Sequence, residues 1–321
     1  MTSGSTDYDD FFNKTAPPEK FEEKICIINS FVQYYKASDQ KLVLVTSGGT
    51  TVPLESRTVR FIDNFSIGTR GSASAEYFLD HGYAVIFLHR QRSLLPFHRH
   101  LQHNMLDCLA LQSPETNSHI YVNQESTVKL LPILQRYSEC QKNRRLCLVS
   151  FTSLGDYLHL LRVACQSLRP LCSRAMLYLA AAVSDFYIPS DQMPEHKIQS
   201  QGEKPLHLSL ELVPKMLKPL VKDWVPDAYV ISFKLETDKS ILIGKAKKAL
   251  EQYEHKLVVA NVLDTRKKEV ILVTKDKEEL LALSDEEEHR GMEIEEKLTR
   301  KIADLHLDFY SNSAIETKTS H

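Results

Sequence analysis

Short apolar runs alternate with amphipathic stretches through most of this chain, and the alternation defines its elements. Residues 41–45 (KLVLV) run into Gly48-Gly49 and read as a buried strand; 69–80 reads as a helix stopped by Gly82, and 83–89 (YAVIFLH) as the next strand. The strand signal recurs at 146–151 (LCLVSF), 175–180 (AMLYLA), 228–234 (AYVISFK) and 256–260 (KLVVA), with helices predicted over 153–168 and 240–254. Residues 270–274 (VILVT) read as an edge strand. Ahead of all of these, Phe21, Ile25, Ile28, Val32 and Tyr35 recur at three- and four-residue steps and predict a helix within 19–36. Apolar strands alternating with helices imply an α/β fold, a mainly parallel sheet with helices on both faces.

Two segments break the rhythm. Residues 90–124 are polar and lack a clear period, and 184–205 carries Pro189, Pro194, Gly202 and Pro205, which predicts a long loop. Leu206, Leu208, Leu210 and Leu212 then alternate with polar residues, as a half-exposed strand would. Residues 1–18 read as a flexible arm, 19–308 as a single domain and 309–321 as a tail; the acidic run 285–288 reads as a solvated face.

Composition narrows the class without changing the fold. The 321 residues are 42% hydrophobic and 26% charged, with a net charge of −2, so bulk charge gives no basis for a nucleic-acid-binding surface. No apolar run approaches the roughly 18 residues of a membrane span, and the N-terminal stretch has acids where a secretory signal has an apolar region. The six cysteines contain no CxxC pair, as expected of thiols in a reducing compartment. A cytoplasmic protein is expected.

In an open parallel sheet, ligands bind beyond the carboxyl ends of the strands. Four segments fall there: the Gly48-Gly49 turn, 180–186 (AAAVSDF), 233–237 (FKLET) and Ala260-Asn261. Gly68 and Gly71 stand at the start of a predicted helix, where unpaired N–H groups favour a phosphate; a plain capping turn is the other reading. The spacing is neither GxGxxG nor a P-loop. The second strand ends in His89-Arg90 rather than in an acid, so an NADP-dependent reductase stays as an alternative class, beside a non-catalytic nucleotide-binding protein. Lys197, in the proline-marked loop, is a candidate to neutralise a leaving pyrophosphate, a merely solvated loop lysine being the commoner reading, and Asp185 to bind a substrate amide or to cap its turn. His98, His100 and His103 lack a compact set of partner ligands and have Arg90, Arg92 and Arg99 nearby, so a basic surface loop is expected there and no metal site. Serine-elbow and HExxH patterns are absent.

Six ordered motifs, 46–53 (TSGGTTVP), 59–71 (VRFIDNFSIGTRG), 180–187 (AAAVSDFY), 193–200 (MPEHKIQS), 232–237 (SFKLET) and 258–261 (VVAN), resemble those of phosphopantothenoylcysteine synthetases of the stand-alone eukaryotic type. The one visible departure is Ile67, where that family usually has a second serine. The resemblance implies a Rossmann-like fold, a homodimer, and a ligase that joins 4′-phosphopantothenate to L-cysteine through an acyl-nucleotidylate. It implies ATP as the nucleotide, with CTP possible, and Mg²⁺ beside the triphosphate. Bacterial relatives are often fused to a decarboxylase; here only the ligase step is expected. Carried across by motif, Gly48, Ser66, Gly68 and Gly71 would hold the phosphates, and Phe233 and Asn261 the base or ribose. Asn64 would hydrogen-bond the activated acyl group. Ala181, Ala182 and Asp185 would bind the pantothenate amides, Lys197 would assist from a flap at about 184–205, and Arg60 would reach the substrate phosphate, across a dimer interface if need be.

Overall fold

Six strands that are apolar on both sides need a helix layer on each face, and the chain supplies both. The computed structural model describes residues 7–101, 105–112, 119–199 and 205–319. Its elements in chain order are α1 (Asp7–Lys14), α2 (Phe21–Tyr35), β1 (Leu42–Ser47), β2 (Thr51–Pro53), β3 (Phe61–Asp63), α3 (Thr69–Asp80), β4 (Ala84–Arg90), β5 (Leu109–Leu111), β6 (Ile120–Val122), α4 (Gln124–Lys142), β7 (Leu146–Phe151), α5 (Leu154–Leu168), β8 (Ala175–Leu179), β9 (Phe186–Tyr187), β10 (Glu211–Leu212), the single turn α6 (Leu217–Pro219), β11 (Tyr229–Glu236), α7 (Lys239–Tyr253), β12 (Leu257–Val262), β13 (Glu269–Val273), β14 (Glu278–Ala282), α8 (Asp285–His289) and α9 (Ile294–Thr319). The main sheet runs β14-β13-β12-β11-β8-β1-β4-β7. Strands from β12 to β7 are parallel, and β13 and β14 add an antiparallel end.

Alternate residues of each strand serve different layers. Leu42, Leu44, Ile86, Leu177 and Val230 pack with α2 and α5, whereas Val43, Val45, Phe87, Tyr178 and Ile231 pack with α3 and α9. On the first face, α7 covers Val258, Ala260 and Val273 with Leu242, Ala246 and Leu250. Each such side chain contributes about 1.5–3 kcal/mol on burial. Stability therefore resides in these layers rather than in α4, whose buried residue is Cys140.

Several expectations are corrected. The arm is helical from Asp7 because Phe11, 1% exposed, packs edge-on against Tyr187 at 5.0 Å, while Phe12 meets Trp224 and His159. The tail continues α9 through Thr319, anchored by Phe309 against Tyr229. β13 is not the edge, since β14 pairs outside it, its acidic residues matched by Lys247 and Lys301. Of the alternating leucines only Glu211–Leu212 forms a strand, because its partner β9 is two residues long. The 90–124 segment holds an antiparallel β5–β6 pair, and its first part, where Arg92, His98 and His100 are exposed as a surface loop requires, is also tied to the core. Leu94 and Phe97 are buried, and Glu76 binds the Phe97 N–H, Arg99 and His100. Burial opposes the Glu76 charge, but hydrogen bonds from His100 and Arg99 outweigh it and hold the carboxyl at about 2. His103 lies outside the described residues.

α9 is locked to the sheet by a neutral histidine. His306 Nε2–H donates to the Ser173 carbonyl at 2.9 Å, which leaves Nδ1 to accept from the Tyr83 hydroxyl at 2.8 Å. Burial pushes this imidazole from 6.5 down to about 4. The folded state thus binds fewer protons than the unfolded chain between those values, so its stability is full above pH 6.5 and is lost as pH falls toward 4. Denaturant midpoints should hold steady from pH 8 to 7 and then drop, with His306 contributing on the order of 2–3 kcal/mol. In His306→Gln the slope over that window should flatten; an unchanged slope would place the titrating group elsewhere.

Candidate active site at the carboxyl ends of the strands

After β1 the chain builds outward through β4 and β7, then returns along α5 to β8 on the other side of β1. This reversal opens a crevice beyond the ends of β1 and β8, where an open α/β sheet takes its ligand. The chain past β1 closes onto the chain past β8: Ala182 N–H donates to the Gly48 carbonyl at 2.8 Å, and Thr50 N–H to the Ala182 carbonyl at 3.0 Å. Gly48 has a φ of +88°, which favours glycine.

The second glycine turn lies directly against the first. Gly49 N–H donates to the Ser66 carbonyl at 3.2 Å, and Asn64 N–H to that of Thr50 at 3.2 Å. A Cβ at Gly49 would lie 1.7 Å from the Asn64 carbonyl oxygen. Gly68, at φ +87°, is the N-cap of α3, with no side chain capping the helix among the described residues. Gly71, in the first turn, is held so close to Ser47 that a Cβ would meet its Oγ at 2.4 Å. Ser47 in turn donates to the Gly68 carbonyl at 3.2 Å. The outcome is an uncapped helix N-terminus, with about half a positive charge, facing the crevice beside a bare turn. Arg70 stays out of it, paired with Glu295 at 3.0 Å and donating to the Arg266 carbonyl.

Other predicted residues join this rim from both sides of the sheet. Phe233 packs edge-on against Tyr178 at 4.8 Å, on the face of α3, and Tyr178 meets Ser74 of α3. Asn261, 7% exposed, sits beside Leu235 near the end of β12. Ala181 and Asp185 line a cleft on the α5 face, where Asp185 pairs with Lys215 at 3.5 Å. Lys197 is exposed, on a segment tied to the loop after β2: Ser56 and Arg57 N–H groups donate to the Pro194 and Glu195 carbonyls. Arg60 donates from one guanidinium nitrogen to the Ile198 carbonyl at 3.1 Å and to Glu55 at 2.9 Å.

Sequence reasoning missed Glu55. Its carboxylate is buried and accepts from the N–H groups of Arg60, Val59 and Ile198 as well as from the Arg60 side chain. These bonds, the Arg60 N–H first, hold it at about 2, so it stays charged as a junction between the two loops. An acid in a polar stretch carries no sequence mark of burial. Arg90, the basic strand end that kept a reductase open, is paired with Asp63 at 2.5 Å.

A rim of this kind is the ligand-binding edge of an open, mostly parallel α/β sheet. Residues 164–308 match the DNA/pantothenate metabolism flavoprotein C-terminal domain. The chain is 50% identical over 288 residues to the human phosphopantothenate–cysteine ligase, covering 88% of this chain and 92% of that protein. It is 38% identical to the Saccharomyces cerevisiae phosphopantothenate–cysteine ligase CAB2 over 98% of this chain and 90% of that one. A Cab2 mutant solved in complex with phosphopantothenate-cysteine superposes with a TM-score of 0.86 at 38% identity, over 95% of this chain and 99% of that chain. The chain belongs to the phosphopantothenate–cysteine ligase family.

The contact at Gly49 yields a direct test. Gly49→Ala must push the Asn64 backbone away by more than an ångström, and turnover should fall about a hundredfold or more with the circular dichroism spectrum retained. Wild-type turnover in this variant would mean that the position of Asn64 does not matter to the chemistry.

Proposed function

We propose that this chain joins 4′-phosphopantothenate to L-cysteine in coenzyme A synthesis through an acyl-nucleotidylate. One observation carries the reading in a member of this family: the two glycine turns, Asn64 and the 181–185 segment meet at the reversal point of the sheet. A carboxylate resists attack because it is anionic and has no leaving group. Its oxygen instead attacks the α-phosphorus of a nucleoside triphosphate and releases pyrophosphate. The cysteine amine then attacks the acyl carbon, loses a proton and expels AMP.

The roles are those the family resemblance implies, and the placement of the residues accords with them. Gly48, Ser66, Gly68 and Gly71 hold the phosphates, supported by the uncapped α3 terminus. Phe233 and Asn261 contact the base or ribose. The neutral Asn64 amide donates to the developing oxyanion without adding charge beside the phosphates. Ala181, Ala182 and Asp185 take the pantothenate amides. Lys197, on the segment anchored by Glu55 and Arg60, acts as the flap lysine that neutralises the leaving pyrophosphate. Arg60 takes the substrate phosphate of a second copy in a homodimer, which accords with the exposed Val59, Phe61, Ile62 and 89% exposed Phe65 around it.

ATP is the proposed donor and CTP the alternative, separated by comparing kcat/KM. Among the described residues no cluster of His, Cys, Asp and Glu is placed to hold a metal ion, so Mg²⁺ is taken to arrive on the triphosphate. No helix among the described residues is long and apolar enough to cross a membrane. The six thiols are unpaired, in keeping with a cytoplasmic setting.

Incubation with ATP, Mg²⁺, phosphopantothenate and cysteine should form AMP only when both acid and amine are present; no product with either nucleotide would refute the ligase. Asn64→Asp or Asn64→Ala should lower turnover at least a hundredfold, the scale of one lost oxyanion donor. Near-normal rates in both would remove Asn64 from the mechanism. Lys197→Ala should slow exchange of pyrophosphate into ATP while nucleotide binding survives, and exchange at the normal rate would contradict its role.

A further inference from the structure

The ligase reading leaves the amino-acid substrate without a site, and a Ser–His pair beside the pantothenate contacts is unused. Under the carboxyl ends of β8 and β11, on the α5 face, lies a cleft of about 310 Å³. Leu179 and Val213 are among its apolar walls, and Asp185, Lys215 and Ser232 are polar groups on it. Ser232 and Phe233 both border the cleft; strand alternation turns the Ser232 side chain to this face, while the Phe233 ring packs against Tyr178.

Behind Ser232 stands His255, 6% exposed, its Nε2 2.8 Å from Ser232 Oγ. Nδ1 is sealed from solvent and has no hydrogen-bond partner among the described residues. That orphan atom decides the tautomer. If Ser232 donated to Nε2, the ring proton would sit on Nδ1, and a buried N–H would go unmatched at the full desolvation cost of about 1–3 kcal/mol. With the proton on Nε2 the ring donates to Ser232 Oγ, and only a lone pair is left unmatched, the more tolerated of the two defects. The Ser232 hydroxyl hydrogen then points away from the ring and toward the cleft. Burial pushes His255 down to about 4, so the ring stays neutral and keeps this arrangement at neutral pH.

A donor hydroxyl and an ammonium on the same cleft can together donate to an anion. Lys215 is held at the cleft by Asp185, 3.5 Å from its carboxylate. An amino acid that reacts through its neutral amine has one fixed charge to be gripped, its carboxylate. We propose that this cleft receives the amino-acid substrate, with its carboxylate bound by the Ser232 hydroxyl and Lys215, and with His255 as the positioning residue that orients Ser232. The proposal rests on the ligase reading. Two further features fit it. Ala181 and Asp185 share the cleft wall, so an amine held there is next to the proposed pantothenate contacts. The apolar wall suits a CH₂–SH group, which behaves as a small hydrophobe, whereas the hydroxyl of serine would lie there without a partner.

The test separates the two half-reactions in the full-length protein. Pyrophosphate–ATP exchange dependent on phosphopantothenate requires no cysteine and reports the ligase reading; the cysteine KM of the complete reaction reports the subsite. In Ser232→Ala the cysteine KM should rise about tenfold, the scale of one hydrogen bond to a charged group, while exchange continues. Ser232→Thr should restore most of the affinity. His255→Leu should raise the cysteine KM as Ser232→Ala does, and His255→Gln, whose amide N–H can still donate to Ser232, should hold it near the wild-type value. A cysteine KM within twofold of wild type in Ser232→Ala, or equal losses in His255→Gln and His255→Leu, would overturn the proposal. Wild-type protein that supports neither exchange nor AMP formation would instead overturn the ligase reading, and the subsite with it.

Discussion

The contact between Gly49 and the backbone of Asn64 is the constraint on which the site depends. A β-carbon at position 49 would lie inside van der Waals range of the Asn64 carbonyl, so the two turns meet only because the first is bare. That closeness lets Gly49 N–H reach the Ser66 carbonyl and sets where the chain enters α3. Ser47, under the same turn, repeats the logic with Gly71. Glycine there lowers the stability of any regular element, a loss of roughly 0.5–1 kcal/mol per residue, and the molecule accepts it where backbone must approach backbone.

The sheet then divides the labour by strand parity. Consecutive residues of β11 point to opposite faces: Phe233 to Tyr178 and the start of α3, Ser232 to the cleft under α5. A single strand end can therefore present side chains to both faces of the sheet, as the proposed nucleotide and amino-acid contacts require. The arrangement needs a strand that does not shift, and β11 is fixed between β8 and β12 by parallel ladders on both edges.

How far this was legible in the sequence depended on whether a signal was local. The bounds of α3 were readable to the residue because Gly68 and Gly82, both at positive φ, bracket it. The parallel strands were readable because their burial on both faces leaves an unbroken apolar run. α4 was missed: Pro132 interrupts it and it offers no buried stripe, so neither period nor capping made a pattern. The arm was misread because Phe11 finds its partner, Tyr187, far along the chain. The site was legible as a set of motifs at strand ends. Glu55 and His255 were not, since their meaning lies in burial and in partners that no spacing encodes.

Glu55 also bears on how Lys197 reaches its proposed place. A free loop of this length would have to be ordered residue by residue, at about 1–2 kcal/mol each in backbone entropy alone. Here Glu55 and Arg60 already bind both the N–H and the carbonyl of Ile198, and Ser56 and Arg57 bind the backbone just before it. The backbone on either side of Lys197 is already hydrogen-bonded, so in its proposed role Lys197 has one side chain left to order, at no more than about 2 kcal/mol. A buried carboxylate that never titrates near neutral pH is a suitable anchor for that purpose, because its grip on the loop does not vary with the charge that arrives and departs beside it.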